Sequence, residues 1–175
     1  IILLTSIIMM AGNIMAQQTI NLLVGTYTDG SSCGIYSYRF DQMTGRVVGL
    51  LDSLALRNPS FLTIAPDKKH IYAVSETNDQ HASLCTIGYQ PHNGQLKLLS
   101  TTATEGEDPC YVETNGKLVL TANYSGGSMS VFRLNKGGAL ATLDRRFLGN
   151  IGGPDLSRQE TPHVPVSYTH LTLPT

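Results

Sequence analysis

An all-β fold built from repeated four-stranded units, a β-propeller, is predicted by three observations: strand-like alternation, turns closed by glycine, and a repeat near fifty residues. Short apolar runs are separated by Gly, Asn and Asp, and no stretch carries a helical period. Gly is abundant at 17 residues, Tyr at 8, and Trp is absent, a composition that suits many short strands. Three segments line up: GIYSYRFDQMTG from Gly34, ASLCTIGYQPHNG from Ala82 and GSMSVFRLNKGG from Gly127. Each is an alternating strand running into a turn closed by Gly45, Gly94 or Gly138, which stand 49 and then 44 positions apart. Propeller blades repeat at about 40 to 50 residues, whereas a β-sandwich, the competing architecture, requires no fixed period.

Taken in order, the elements begin with the apolar IILLTSIIMMAGNIMAQQ. It reads as the hydrophobic and cleavage regions of a secretory signal without the charged start, with cleavage expected after Ala16. Gly12 and Asn13 interrupt it, and it is short for a membrane span of about 20 residues. A buried first strand or a membrane anchor are the alternatives. Export to a periplasmic or extracellular location is therefore expected, with the cytoplasm as the alternative if this leader is no signal. Residues 17–164 are assigned to the propeller.

Next, LLVGTYTDGSSCGIY sets Thr26, Tyr27, Thr28 and Asp29 between glycines, read first as a tight turn at Asp29-Gly30. GIYSYRF and RVVGLLDSL then form a hairpin. NPSFLTIAPDKKHIYAVSE from Asn58 holds two strands around a polar turn at Asp67 and exits at Glu76. A second hairpin follows, and DPCYVETNGKLVLTANYS from Asp108 repeats the block, with Asn115 in the turn and Asn123 and Tyr124 at the exit. GSMSVFRL and ALATLDRRF close the series. Each unit thus holds about four strands and the chain accounts for about three blades. A propeller ring needs about four to eight, so the chain is read as the N-terminal part of a larger one, inactive by itself.

Composition narrows the partners. Charged residues are 14% of the chain and the net charge is −1, which supplies no basic field for nucleic acid or an anionic membrane. Cys33, Cys85 and Cys110 form no CxxC and have no His at zinc-like spacing, so they read as isolated side chains. Asp and Glu do not cluster as a calcium or zinc cage, and neither metal nor cofactor is expected. His70, His81 and His92 lie beside turn signals and are expected to be solvated.

Loops at one mouth of a propeller converge, so strand exits from different blades meet there. Glu76, Asn123 and Tyr124 stand at such exits and are expected to touch substrate. Ser125-Gly126-Gly127 reads as a flexible hairpin, since no helix follows to make a phosphate loop. The densest cluster is GGPDLSRQETPH, where Arg158, Glu160 and His163 lie within six residues. A guanidinium there binds an anion or oxyanion while a carboxylate or imidazole activates water, a set suited to ester hydrolysis. A solvated surface loop is the equal alternative on spacing alone.

With these blocks in order, the chain resembles the seven-bladed propeller lactonase family, which includes 6-phosphogluconolactonases of this fold and related carboxy-muconate cyclases. Order and spacing agree from Leu22 to His163. The resemblance implies hydrolysis of a small-molecule sugar lactone such as 6-phosphogluconolactone, a step of glucose metabolism. The family motif resembles Arg-Gln-Glu-x-Pro-His-x-His, falling on Arg158, Gln159, Glu160, Pro162 and His163. By this likeness Glu160 or His163 is the acid/base and Arg158 the anion or oxyanion ligand. Gln159 joins Glu76, Asn123 and Tyr124 as a substrate contact. A phosphorylated lactone is a cytoplasmic metabolite, so an exported member is expected to take an unphosphorylated one. The alternatives are a non-catalytic propeller serving as a binding or scaffold module, and a lactonizing enzyme of the carboxy-muconate cyclase type.

The last stretch stands apart. Residues 166–175 read as the translation of GTC TCT TAT ACA CAT CTG ACG CTG CCG ACG, which resembles a transposon-end adapter of sequencing libraries. Residues 165–175 are accordingly expected to be no part of the domain. The family's final His falls on position 165, where a genuine codon beginning with C admits His.

Overall fold

The computed structural model describes residues 19–139, 141–149, 152–155 and 162–165, and these form strands and turns only. Eleven strands follow in order: β1 Thr19–Val24, β2 Gly34–Asp41, β3 Arg46–Ala55, β4 Leu62–Ile64, β5 His70–Ser75, β6 Ser83–Gln90, β7 Gln95–Ala103, β8 Pro109–Thr114, β9 Leu118–Asn123, β10 Ser128–Leu134 and β11 Ala141–Leu148. They make three antiparallel sheets, β1-β2-β3, β4-β5-β6-β7 and β8-β9-β10-β11. The predicted hairpins are β2–β3, β6–β7 and β10–β11. Their closing residues Gly45, Gly94 and Gly138 have φ of 67°, 78° and 72°, the left-handed region that only glycine enters without a Cβ clash. Each hairpin carries an irregularity at a similar height, at Ser37/Tyr38, Thr86/Ile87 and Val131/Phe132, which adds local twist.

In the second and third sheets an innermost strand precedes the hairpin, β4 or β8, followed by β5 or β9. The first sheet has three strands, and β1 stands where β5 and β9 do. Among the described residues nothing occupies the place of β4 and β8 in that sheet.

The middle sheet is covered on both faces, and β5 shows how alternation accomplishes this. Ile71 and Ala73 pack with Ile35, Ile87 and Tyr89 toward the first sheet. Tyr72 and Val74 turn the other way, against Leu84, Val112, Val119 and Phe132 of the next interface. Successive side chains of a strand point to opposite faces, so one continuous run of buried residues serves two cores. The outer strands β3 and β7 alternate instead between half-buried and exposed positions.

Polar links cross the same interfaces. The buried Tyr72 hydroxyl donates to the Gly138 carbonyl in the turn of the third sheet, 2.8 Å away, and burial followed by the nearby Asp67 charge pushes its phenol up to about 12. Tyr72→Phe is expected to lower stability by about 1 kcal/mol through the carbonyl left unbonded, measured by denaturant midpoint.

Two features differ from expectation. No tight turn forms at Asp29-Gly30; residues 25–33 make a longer loop, with Thr26 Oγ1 donating to the Gly34 carbonyl at 2.8 Å. His70 is paired rather than solvated, its Nδ1 lying 2.7 Å from Asp67 Oδ2, because the polar turn folds Asp67 back over its own chain. Burial raises the Asp67 carboxyl. Bonds from the Lys69 and His70 amides and from the His70 ring outweigh that and hold it below 3.8. Stability from Asp67 is thus present above the ordinary value and lost as the pH falls through the lowered one. Acid titration of Asp67→Asn is expected to show a shallower loss of stability below pH 3.8 than the parent chain.

Candidate active site

One end of the sheets gathers the loops that leave β1, β5 and β9 and the segments that enter β4 and β8. The entering segments are built alike. Asn58 and Asp108 both precede proline and both adopt positive φ, 43° and 49°, a conformation Asn and Asp tolerate better than other residues with a Cβ. Asn58 Oδ1 accepts from the Thr28 amide and hydroxyl, each at 2.9 Å, and its Nδ2 donates to the Glu76 carbonyl at 3.1 Å. The Asn58 carbonyl accepts from the Glu76 amide at 3.0 Å. One residue therefore fixes the exits of β1 and β5 against each other. Asp108 does the same one blade on: its amide donates to the Thr77 carbonyl at 2.9 Å, its own carbonyl accepts from the Tyr124 amide at 2.8 Å, and its carboxylate accepts from the Ser125 hydroxyl.

The side chains positioned this way form a chain across the mouth. The exposed Tyr27 hydroxyl donates to Glu76 Oε2 at 2.9 Å, and the Ser60 hydroxyl donates to the same oxygen. Burial, with Glu76 next, pushes the Tyr27 phenol up against a smaller opposing effect of Ser60. Cys110 follows, half-buried, its thiol raised by burial first and then by the Glu76 and Asp108 charges. Its sulfur lies 4.0 Å from the Val164 carbonyl. Tyr124 stacks on His163 with ring centroids 4.4 Å apart and planes 14° from parallel. The His163 Nδ1 lies 3.1 Å from the Tyr124 carbonyl. A carbonyl oxygen only accepts, so Nδ1 is the donor of this bond, and Nε2 is the nitrogen that accepts in the corresponding tautomer.

Of the residues expected from sequence, Glu76, Tyr124 and His163 are brought to this mouth, while Arg158, Gln159 and Glu160 lie outside the described residues. Asn123 is a correction. It is fully buried, its Nδ2 donating to Ser128 and Ser130 hydroxyls at 3.0 and 2.9 Å and its Oδ1 accepting from Thr121 at 3.1 Å. Its amide completes a polar core beneath the exit of β9 and has no group left for a solute. The Ser125–Gly127 turn is also pinned, through Gly126 to Glu107 and Ser125 to Asp108, and is no loose hairpin.

Sequence reasoning passed over Ser60, Asp108 and Cys110 as site residues, although the signal was in the repeat. Asn58-Pro59-Ser60-Phe61, Asp108-Pro109-Cys110-Tyr111 and Thr161-Pro162-His163-Val164 are three copies of one tetrad. Ser60, Cys110 and His163 hold its third position. Tyr27, Glu76 and Tyr124 hold the matching place at successive strand exits, so the two series alternate around the rim. The described residues contain no group of three or more His, Cys, Asp or Glu able to hold a metal ion.

Three sheets fanned around shared cores, with polar exits at one end, define a partial β-propeller bearing an imidazole and carboxylates at its mouth. The family described as "Lactonase, 7-bladed beta-propeller" matches residues 21–170, and the chain belongs to it. A 6-phosphogluconolactonase of Formosa agariphila is 28% identical over 147 residues, 82% of this chain and 42% of that protein. The crystal structure of a candidate 6-phosphogluconolactonase from Bacteroides uniformis superposes with a TM-score of 0.80 at 54% identity, over 84% of this chain and 43% of that one. The structure of a periplasmic gluconolactonase from Pseudomonas aeruginosa gives 0.67 at 34% identity, over 74% of this chain and 38% of that one. The chain thus spans about two-fifths of the length of the relatives it matches.

Proposed function

We propose that the whole protein to which this chain contributes is a lactonase that opens the ring ester of a sugar lactone with water. The observation that carries this is the exposed His163 ring, whose Nδ1 is engaged by the Tyr124 carbonyl and whose face stacks on the Tyr124 ring, which leaves Nε2 to serve as a base. In this reading Nε2 takes a proton from water as its oxygen adds to the lactone carbonyl. The tetrahedral oxyanion is met by Arg158, the role the family motif suggests. Collapse breaks the ring C–O bond, and the proton held on His163 passes to the departing ring oxygen, giving the open hydroxy acid. Glu76 and Tyr124 contact the sugar.

The printed names of the relatives support a lactone substrate. Acting on such a solute outside the cytoplasm fits the proposed leader, which N-terminal sequencing of the exported protein tests: a first residue other than Gln17 removes cleavage after Ala16. Turnover of glucono-1,5-lactone and its 6-phosphate by the full-length protein and its His163→Asn variant tests the activity. Hydrolysis abolished in the variant supports a lactonase, whereas ligand binding without turnover in the parent leaves a propeller that only binds.

A further inference from the structure

Resting on that reading, we infer that Glu76 and Asp108 make this mouth selective for neutral, unphosphorylated polyol lactones. Both carboxylates stand on the rim that holds His163, joined to it through Cys110, whose thiol senses the two charges and whose sulfur reaches the Val164 carbonyl. Neither is neutralised by a base among the described residues, where the ion pairs are Arg57–Asp79, His70–Asp67 and Arg133–Asp144. Arg57, next in the chain to the first rim segment, is committed to Asp79 at 3.1 Å.

The Glu76 carboxylate is also arranged as a hydroxyl acceptor. Among the described residues both donors, Tyr27 and Ser60, converge on Oε2, which leaves Oε1 for a donor from the ligand. A polyol lactone brings O–H donors to such an oxygen, and phosphorylation at the 6-position replaces one of them with a dianionic group that supplies none. Two negative charges in a half-buried mouth disfavour a further dianion, and discrimination by repulsion needs no dedicated contact to the rejected ligand. The Tyr27 ring, exposed beside the pair, offers a flat apolar surface for the sugar's C–H face while its hydroxyl fixes the carboxylate.

The test measures kcat/KM of the full-length protein for glucono-1,5-lactone and for its 6-phosphate, at low and high salt. The parent protein is expected to favour the neutral lactone, and the preference is expected to shrink with rising ionic strength as the repulsion is screened. Glu76→Gln keeps an oxygen for Tyr27 and Ser60 but removes the charge, and is expected to shift the ratio toward the phosphorylated lactone by about tenfold. A parent enzyme that prefers the phosphorylated lactone overturns the inference and leaves the lactonase reading standing, with Arg158 then dominating the field. So does a preference for the neutral lactone that is indifferent to salt, whether or not Glu76→Gln folds. Hydrolysis of neither lactone removes both readings.

Discussion

Replacing His163 with asparagine in the full-length protein is expected to lower kcat for lactone hydrolysis by about 10²–10⁴-fold, the usual contribution of a positioned general base. Asparagine retains an N–H donor near the position of Nδ1, so the bond to the Tyr124 carbonyl can persist and the segment stays anchored. What disappears is the acceptor at Nε2. Thermal unfolding should therefore shift little while turnover falls, and KM should change less than kcat because the lost interaction belongs to proton transfer. A variant with near-parental kcat would move the base to Glu160, the other member of the acid/base pair that the motif implies. Tyr124→Phe serves as a control for the base: the stacked ring and the backbone carbonyl both remain, so kcat should be close to that of the parent, and any loss of the sugar contact should appear in KM.

The fold was legible because the repeat is written in residues with few conformational alternatives. Gly45, Gly94 and Gly138 mark turns through their left-handed φ, and Asp67 and Asn115 mark the polar turns because each caps the amides two and three residues on. The site was less so. Glu76 and Tyr124 followed from their place at strand exits, yet Asn123, one residue earlier, faces the opposite side of its strand and is buried among Thr121, Ser128 and Ser130. Strand alternation alone separates the two. Exit position predicts the height of a side chain but not the face it takes. Cys110 read as bland because part of its surroundings, Glu76, comes from the neighbouring blade, which no local spacing reveals. Asn58 and Asp108 read as the openings of the repeated blocks, and their task of tying consecutive exits together depends on sheets that meet only in the folded state.

The same dependence on neighbouring blades makes Gly127 a backbone position at which a small change is expected to reach the candidate base. It sits at φ 52° in the turn between β9 and β10, where its amide donates to the Tyr124 carbonyl at 3.2 Å, the same oxygen that receives His163. A Cβ there would stand 2.3 Å from the Pro162 carbonyl oxygen and 2.9 Å from Pro162 Cγ, so Pro162 has to move and His163 moves with it. Gly127→Ala is expected to lose about 1–2 kcal/mol from the left-handed backbone alone. In addition, kcat should fall by about 10²-fold, the penalty for displacing a catalytic group by roughly 1 Å. Gly149→Ala separates the two effects. Its φ carries no left-handed strain, but its Cβ would come 2.5 Å from Pro162 Cγ. If the Pro162 contact is what seats the imidazole, Gly149→Ala loses turnover with a smaller change in stability than Gly127→Ala. If both variants keep parental kcat, His163 is held by its stack on Tyr124 alone, and the glycines serve only the turn.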